Sequence, residues 1–305
     1  FAKNAYKIIV DIDPSELSKP TICADMPVNA DVKNLICALL EEDYAPQKQH
    51  EPWTAWCRGL VSAYPAVATQ YHKKEREPIN PYVFIDKLFS HMGNKERIVC
   101  GNGSACVVTF QACRIKQGQR MFTNSGCAAM GYGLPAALGV AVSEPACRVV
   151  CIDGDGSVMM NVQELATIAH NQLNIKLIIL NNNGYHSIRQ TQSSLFKPPF
   201  IGIDKESGVG FPDFGKLADA FGLKYFIVHD EMECDAVLEK MLCFEGPCVC
   251  EVMIDEKQNF APKSSSKVMP DGTITSPPLD DMAPFLDREE YEAVRYDLMK
   301  QGEDA

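Results

Sequence analysis

Short, nearly continuous apolar segments alternate with helix-like segments from residue 81 to residue 256, and this alternation is the strongest constraint on the fold. The expected strands are "RIVC" (97–100), "RVVCI" (148–152), "IKLIIL" (175–180), "LKYFIV" (223–228) and "PCVCEVMI" (247–254). Strands that are apolar on both faces and separated by helices are typical of a parallel sheet covered on both sides. The pattern therefore predicts an α/β fold, a doubly wound parallel sheet with helices on both faces and right-handed crossovers.

The rest of the chain divides into three further segments. Residues 1–45 hold an expected strand and the helix-like run "ADVKNLICALLEE", with Asp31 as its N-cap. This α/β piece is too small to stand alone, and the chain begins at Phe1, so we expect a remnant of a middle domain in a fragment of a longer protein. Residues 46–80 are interpreted as a connector to the main domain, 81–256. Residues 257–305, rich in Pro, Ser and Asp, are expected to form an extended C-terminal tail that ends in a short charged helix, "REEYEAVRYDLM".

Composition excludes several classes of partner. The 305 residues include 40 acidic and 29 basic side chains, a net charge of −11, which argues against binding a nucleic-acid backbone. No apolar run reaches the length that spans a bilayer, so we expect no membrane partner. The 13 cysteines are scattered and form no C-x-x-C pair, which is typical of reduced thiols and favours a cytoplasmic location.

Polar residues follow two of the expected strands at the point where each strand ends. "RVVCI" runs into "DGDGS" (153–157), and "IKLIIL" runs into "NNNG" (181–184). The carboxyl ends of parallel strands form the ligand-binding edge of a doubly wound sheet, which would bring Asp155 and Asn182 to one place. A carboxylate and a carboxamide oxygen suit Mg²⁺, which completes its shell with phosphate oxygens. Asp-Gly and Asn-Gly pairs are also common turn formers, but the joint pattern of G-D-G, 24 residues and N-N is far more specific.

This joint pattern resembles the cofactor signature of thiamine-diphosphate enzymes. "FTNSGCAAMGYGLPAALGVAV" (122–142) is similar to the glycine-rich stretch of their acetolactate synthase (acetohydroxyacid synthase) branch. The resemblance covers most of the chain, with 1–43 similar to the end of the middle domain and 81–256 similar to the diphosphate-binding domain. It implies thiamine diphosphate and Mg²⁺ as cofactors and a 2-ketoacid such as pyruvate as the substrate of a decarboxylase or carboligase.

The resemblance also implies roles for individual residues. Asp155 and Asn182 would bind the metal through their side chains and Gly184 through its carbonyl. Met130 would be the apolar wedge that bends the cofactor, and the backbone of Ala128 and Met130 would hold its aminopyrimidine ring. The residues expected to contact the cofactor are Gly103, Ser104, Ala128, Met130, Gly154, Gly156, Ser157 and Tyr185.

The resemblance places the remaining chemistry outside this chain. The glutamate that starts the proton relay is expected on a pyrimidine-binding domain of a partner subunit, so no catalytic residue is assigned here. A homodimer or homotetramer would complete the site, and residues 1–305 alone are expected to be inactive. His186 and Gln190 follow the asparagine cluster and could reach the substrate.

Departures from the family pattern leave other activities open. Thr191 stands where acetohydroxyacid synthases usually have tryptophan, and Ser104-Ala105 replaces their Gln-His. These departures, together with the tail "DGTITSPPLDDMAPFLDREE", favour a thiamine-dependent carboligase or hydrolase of a sugar or polysaccharide pathway as an alternative. A nicotinamide-dependent dehydrogenase would need G-x-G-x-x-G, and "GNGSAC" (101–106) lacks the third glycine. A non-catalytic module with the same fold is the last alternative.

Overall fold

The computed structural model describes residues 5–42, 45, 48–196, 198–268 and 271–295, which fall into two compact units. The larger unit is Tyr64–Ala261, and the smaller one contains the described residues of Phe1–Ala63 and Pro262–Ala305. The segments expected from sequence, 1–45, 46–80, 81–256 and 257–305, remain a prediction. Within the described residues no helix combines the length and the apolar character needed to cross a membrane.

The N-terminal part of the smaller unit is a strand pair with helices. Strands β1 (Ile8–Asp11) and β2 (Met26–Asn29) are parallel, and the short helix α1 (Pro14–Leu17) lies between them in the chain. Helix α2 (Val32–Glu41) begins after Asp31, whose side chain accepts the Lys33 N–H at 2.8 Å. The N-cap prediction is therefore confirmed, and satisfying this N–H stabilises the first turn by about 1 kcal/mol. Helix α3 (Glu51–Ala63) ends this part.

The larger unit is built on one parallel sheet, as the sequence predicts, but the sheet has six strands and not the five that were expected. Its strands are β3 (Arg97–Cys100), β4 (Arg120–Thr123), β5 (Val149–Gly154), β6 (Ile175–Asn181), β7 (Lys224–Val228) and β8 (Cys248–Met253). Their order across the sheet is β4-β3-β5-β6-β8-β7. Neighbours are in parallel register throughout, for example Ile152 beside Ile178 in β5 and β6. The doubly wound α/β prediction is confirmed.

Helices cover both faces of this sheet. They are α4 (Pro81–His91), α5 (Ser104–Ala112), α6 (Gly133–Ser143), α7 (Asp155–Val158), α8 (Glu164–His170), α9 (His186–Leu195), α10 (Phe214–Ala220) and α11 (Glu231–Cys243). Alternate residues of β6 point into two apolar cores, with Ile178 among side chains of α4, α5 and α11 and Ile179 among those of α6, α8 and α10. Each of these fully buried aliphatic side chains stabilises the fold by about 1.5–3 kcal/mol.

The C-terminal part of the smaller unit contains more regular structure than the expected extended tail. Strands β9 (Lys267–Val268) and β10 (Ile274–Thr275) form an antiparallel pair, and helix α12 (Arg288–Val294) follows. The Trp56 indole N–H of α3 donates to the Val294 carbonyl at 2.8 Å, which ties this segment to the N-terminal part of the same unit. The expected charged helix extended to residue 299, and its positions 296–299 lie outside the described residues.

Three elements of the larger unit differ from expectation. Strand β4 was not expected, because its four residues, "RMFT", include two polar ones. Helix α9 was not expected either, because "HSIRQTQSSL" has no sustained apolar period. The apolar pattern of the sequence predicts a helix over roughly 128–143, whereas α6 begins at Gly133, because Ala128 and Gly131 have φ angles of +50° and +85° that a right-handed helix does not tolerate.

Candidate functional site

The order of the strands creates a crevice between β3 and β5. From β3 the chain moves outward to β4 and then returns to the other side of β3 to form β5. The loops that follow β3 and β5 therefore diverge, and such a switch point is where open α/β sheets bind ligands. A cavity of about 140 Å³ lies at this carboxyl edge and is lined by residues from both loops. Ten of the eleven expected site residues line it: Gly103, Ser104, Met130, Gly154, Asp155, Gly156, Ser157, Asn182, Gly184 and Tyr185.

Asp155 lies at the centre of this edge and connects the loops after β5 and β6. Its side chain is 1% exposed. One carboxylate oxygen accepts the Gly156 N–H at 2.8 Å, and the other accepts the N–H groups of Asn182 and Gly184 at 3.1 and 3.0 Å. Burial raises the pKa of this carboxyl to about 6, while the three N–H groups favour the ionised form. A divalent cation beside the carboxylate would favour ionisation further.

Asn182 presents a buried oxygen that the described residues leave without a hydrogen bond. The residue is 3% exposed, and its Oδ1 has no partner in the described part of the chain. Its own carbonyl accepts Arg189 Nη1 at 3.1 Å, so the backbone around it is held from helix α9. An unsatisfied buried polar atom costs about 1–3 kcal/mol. A hard cation bound between Asn182 Oδ1 and Asp155 would satisfy this oxygen, so the residues present fit Mg²⁺.

Two glycines allow the backbone to approach closely at this point. A Cβ atom on Gly184 would lie 1.9 Å from the carbonyl oxygen of Ile203. A Cβ atom on Gly156 would lie 2.2 Å from the Tyr185 ring. A larger residue at Gly184 would collide with backbone, and one at Gly156 would force the Tyr185 ring to move, so both positions favour glycine.

The loops after β3 and β5 are also joined directly. The Ser157 hydroxyl donates to the Asn102 side-chain oxygen across the crevice. Gly103, at the N-terminus of α5, has φ +59°, which turns the loop into the helix. Asn102 lines the cavity and was not among the expected residues, although its place directly after an apolar strand was the same signal that identified Asp155. The crevice is thus lined with backbone N–H groups and small polar side chains, which suits a phosphate.

The mouth of the cavity is more apolar. Met130 is 37% exposed and Ile188 is 46% exposed, and both line the opening. His186 lies beside them, is buried, and packs edge-to-face on Phe260 with ring centroids 5.2 Å apart. His186, which the sequence suggested could reach the substrate, lines the cavity, and so do Ser187 and Ile188, which were not assigned to it from sequence.

Two expected residues do not line this cavity. Ala128 is exposed on the segment before α6, where its N–H donates to the Asn124 carbonyl at 2.7 Å. Gln190 accepts the Phe260 N–H at 3.4 Å and is not among the residues that line the cavity. Within the described ranges there is no group of three or more His, Cys, Asp and Glu side chains that could hold a metal. The pair Asp155 and Asn182 is a different kind of donor set, with one carboxylate and one amide.

Comparisons with known proteins give the family. The family model described as "Thiamine pyrophosphate enzyme, C-terminal TPP binding domain" matches residues 101–252, which span the sheet from the end of β3 to β8. The chain therefore belongs to the thiamine pyrophosphate enzymes and carries their C-terminal TPP-binding domain. Thiamine diphosphate, with Mg²⁺, is the cofactor of this family.

Within that family the chain is similar to acetolactate synthase large subunits. It is 32% identical over 265 residues to the large subunit from Pyropia yezoensis. The aligned region covers 86% of this chain and 44% of that protein. It is 31% identical to the isozyme 1 large subunit and 30% identical to the isozyme 2 large subunit of Escherichia coli (strain K12), covering 45% and 48% of those proteins. The chain spans less than half the length of these relatives. The match places it with thiamine-dependent enzymes and not with nicotinamide-dependent dehydrogenases.

Proposed function

We propose that this chain is the cofactor-binding part of a thiamine-diphosphate-dependent enzyme that decarboxylates or ligates a 2-ketoacid such as pyruvate. The observation that carries the proposal is that a buried carboxylate, Asp155, accepts the backbone N–H of Asn182, whose buried side-chain oxygen has no hydrogen-bond partner among the described residues. The similarity to acetolactate synthases supports the ketoacid as substrate.

In this proposal Mg²⁺ is held by the side chains of Asp155 and Asn182 and by the carbonyl of Gly184. The N–H groups of the loop at Gly156 and Ser157, together with the loop at Gly103 and Ser104, bind the diphosphate. The Asp155 carboxylate is held in place without the ligand, since it already bridges two loops through three backbone hydrogen bonds. Such preorganisation lowers the cost of ordering the site on binding.

The remaining cofactor contacts would come from the apolar mouth of the cavity. Met130 would support the bent cofactor, with Ala128 two residues before it in the chain and Tyr185 lining the same cavity. When bound, thiamine diphosphate supplies a thiazolium that stabilises a carbanion at the former keto carbon. The protein's contribution is to hold the two ends of the cofactor and to keep water away from its reactive face. The buried ring of His186 and the side chain of Ile188 serve the second purpose.

We further propose a homodimer or homotetramer in which a pyrimidine-binding domain of a partner subunit completes the site. The exposure of Met130 and Ile188 at the cavity mouth supports a partner that covers them. We also propose a cytoplasmic location, supported by 13 free cysteines.

Calorimetric titration of thiamine diphosphate into the full-length protein, with and without Mg²⁺, tests the assignment of the metal site. We expect Asp155→Ala to abolish Mg²⁺-dependent binding. Asp235→Ala is the matched control, because it removes an exposed aspartate of the same unit that pairs with Lys87 at 2.7 Å. An affinity of the Asp155 variant equal to that of the wild type would refute the proposed metal site.

Product analysis tests the reaction. The full-length enzyme is incubated with pyruvate alone and with a panel of acceptor ketoacids and aldehydes. Formation of 2-acetolactate supports the acetolactate synthase reaction, and a product formed only with a sugar-derived acceptor supports the alternative pathway. Consumption of NADH with no release of carbon dioxide would contradict both.

A further inference from the structure

A buried hydrogen-bond network adjoins the loop "NNNG" (181–184) that follows β6. Asn181, at the end of β6, donates its side-chain N–H to Glu251 Oε1 of β8 at 2.5 Å. The Tyr225 hydroxyl of β7 donates to Glu251 Oε2. Asn181 and Glu251 are 8% and 7% exposed, so solvent does not compete for these bonds. The network connects three adjacent strands of the sheet.

The register of the sheet sets this network. Glu251 lies beside Ile179 of β6 and Ile227 of β7, so its two neighbours along the strands, Asn181 and Tyr225, flank it diagonally. Side chains two residues apart on a strand share a face. All three polar side chains therefore lie on the face of the sheet that packs against α10.

The network also fixes the conformation of the loop. With its N–H group held by Glu251, the Asn181 carboxamide directs Oδ1 to the Asn183 N–H, which it accepts at 2.9 Å. Asn183 adopts φ +54°, the left-handed conformation that turns the chain after Asn182. A reversed Asn181 carboxamide would place its N–H group against the Asn183 N–H, and the turn would lose its support.

We propose that Glu251 is a positioning residue for the metal-binding loop. By accepting the Asn181 N–H it holds Asn181 in the orientation that supports the turn at Asn183 and presents the side chain of Asn182 to the ion. This inference rests on the proposed function, because it concerns the affinity of the same site for Mg²⁺. Glu251 is not among the described residues that line the cavity, and in this proposal it acts through Asn181.

A purely structural role does not account for a glutamate at this position. Both donors to Glu251 are uncharged. Burying a carboxylate is costly, and apolar residues of the same size often give equal or greater stability. A buried glutamate that orients its neighbours without adding stability is expected where the backbone must be held in one conformation, as it is around a metal ion.

The test is the Mg²⁺ concentration that gives half-maximal binding of thiamine diphosphate, measured by calorimetry on the full-length protein. We expect Glu251→Leu to raise this concentration by about 10- to 100-fold, the range seen when residues that orient metal ligands are lost. Glu251→Gln is the rescue variant, because its amide oxygen can accept from Asn181 while its N–H donates to the Tyr225 oxygen. We expect it to stay within about 3-fold of the wild type, well below the loss given by Leu.

The matched control is Glu96→Gln, which alters another buried glutamate of the same unit. Glu96 is 3% exposed and pairs with Arg148 at 2.8 Å near the amino end of the sheet. The Glu96→Gln substitution is expected to lower the melting temperature without changing the Mg²⁺ concentration needed for half-maximal cofactor binding. If Glu251→Leu fails to fold, the double variant Glu251→Leu/Asn181→Leu replaces both partners with apolar side chains and is expected to fold with the same raised requirement.

Asp155→Ala distinguishes the two proposals. If it leaves Mg²⁺-dependent binding unchanged, the proposed metal site is wrong. If it abolishes binding while folded Glu251→Leu, or the double variant, keeps the Mg²⁺ requirement of the wild type, the metal site stands and the role of Glu251 is refuted. The proposal would also be overturned if Glu251→Gln needed as much Mg²⁺ as Glu251→Leu. The hydrogen bonds of residue 251 would then not determine the affinity of the site for Mg²⁺.

Discussion

The backbone N–H of Asn182 donates to the carboxylate of Asp155 at 3.1 Å, which joins the loops after two neighbouring strands into one structure. The Asn182 side chain remains free for another role, since its Oδ1 forms no hydrogen bond within the described residues. The backbone of Asn182 thus orders the site, and the proposed role of its side chain in binding the metal can be tested separately.

Replacing Asn182 with leucine is expected to separate stability from metal binding. The substitution removes a buried oxygen that has no hydrogen bond, so the metal-free protein should be as stable as the wild type or more stable by up to about 1–3 kcal/mol. The rise in melting temperature that Mg²⁺ and thiamine diphosphate give the wild type should disappear. Thermal melts with and without both ligands measure the two effects. A large loss of stability in the metal-free variant would mean that this oxygen has a partner within the protein.

The metal-free protein should depend on pH through Asp155. Burial raises the pKa of this carboxyl in the folded state to about 6 from an ordinary value of 3.8. The folded state therefore binds the proton more tightly than the unfolded state, and the stability from this group is complete below about pH 4 and falls as the pH rises through 6. The size of the loss is on the order of 1–3 kcal/mol.

Urea unfolding of the wild type and Asp155→Asn between pH 4 and pH 7, without Mg²⁺, measures this dependence. The substitution itself adds a difference in the free energy of unfolding that does not depend on pH. On top of that difference, the wild type should lose stability relative to the variant as the pH rises. Asp153, whose pKa burial raises to about 7, is present in both proteins and cancels from the comparison. Parallel stability curves for the two proteins would show that Asp155 ionises normally in the fold.

The parts of this structure that could be predicted from sequence are those that burial dictates. Strands β5 and β6 are buried along nearly their whole length, so the sequence shows them as apolar runs. Because these two strands are neighbours in the sheet, the residues that follow them, Asp155 and Asn182, lie close together. Strand β4 and helix α9 are more exposed, and their sequences carry no comparable pattern.

The residues that sequence analysis missed depend on contacts between distant segments. Asn102 meets Ser157 only because β3 and β5 are neighbours. Glu251 carried a signal of its own, a charged residue within the otherwise apolar strand "PCVCEVMI". A local conflict of that kind often marks a functional position, although its partners, Asn181 and Tyr225, could not be identified without the register.

Cysteine labelling should separate the buried thiols from the exposed ones. Burial raises the pKa of Cys248 to about 11 and that of Cys234 to about 12, so few of these thiols are ionised at pH 8. Iodoacetamide should first modify the exposed cysteines, which are Cys23, Cys37, Cys127 and Cys243. Peptide mass spectrometry gives the order, with the urea-unfolded protein as the control in which all thiols react. Rapid modification of Cys248 in the native protein would contradict the position of β8 in the interior.

Gly184→Ala is expected to destabilise the larger unit because of a backbone collision. Its Cβ would lie 1.9 Å from the Ile203 carbonyl oxygen, and a backbone atom cannot move aside as the end of a side chain can. Forced repacking of this kind costs about 1–3 kcal/mol.

Gly154→Ala is the matched control in the neighbouring loop. Nothing lies within 4 Å of a Cβ at Gly154, and its backbone angles, φ −91° and ψ 157°, suit any residue. Its effect on stability should stay within about 1 kcal/mol. Urea unfolding of both variants is the measurement. Equal stabilities would mean that the loop at Ile203 yields to the added methyl group, and the close passage of the two loops would then be no requirement of the fold.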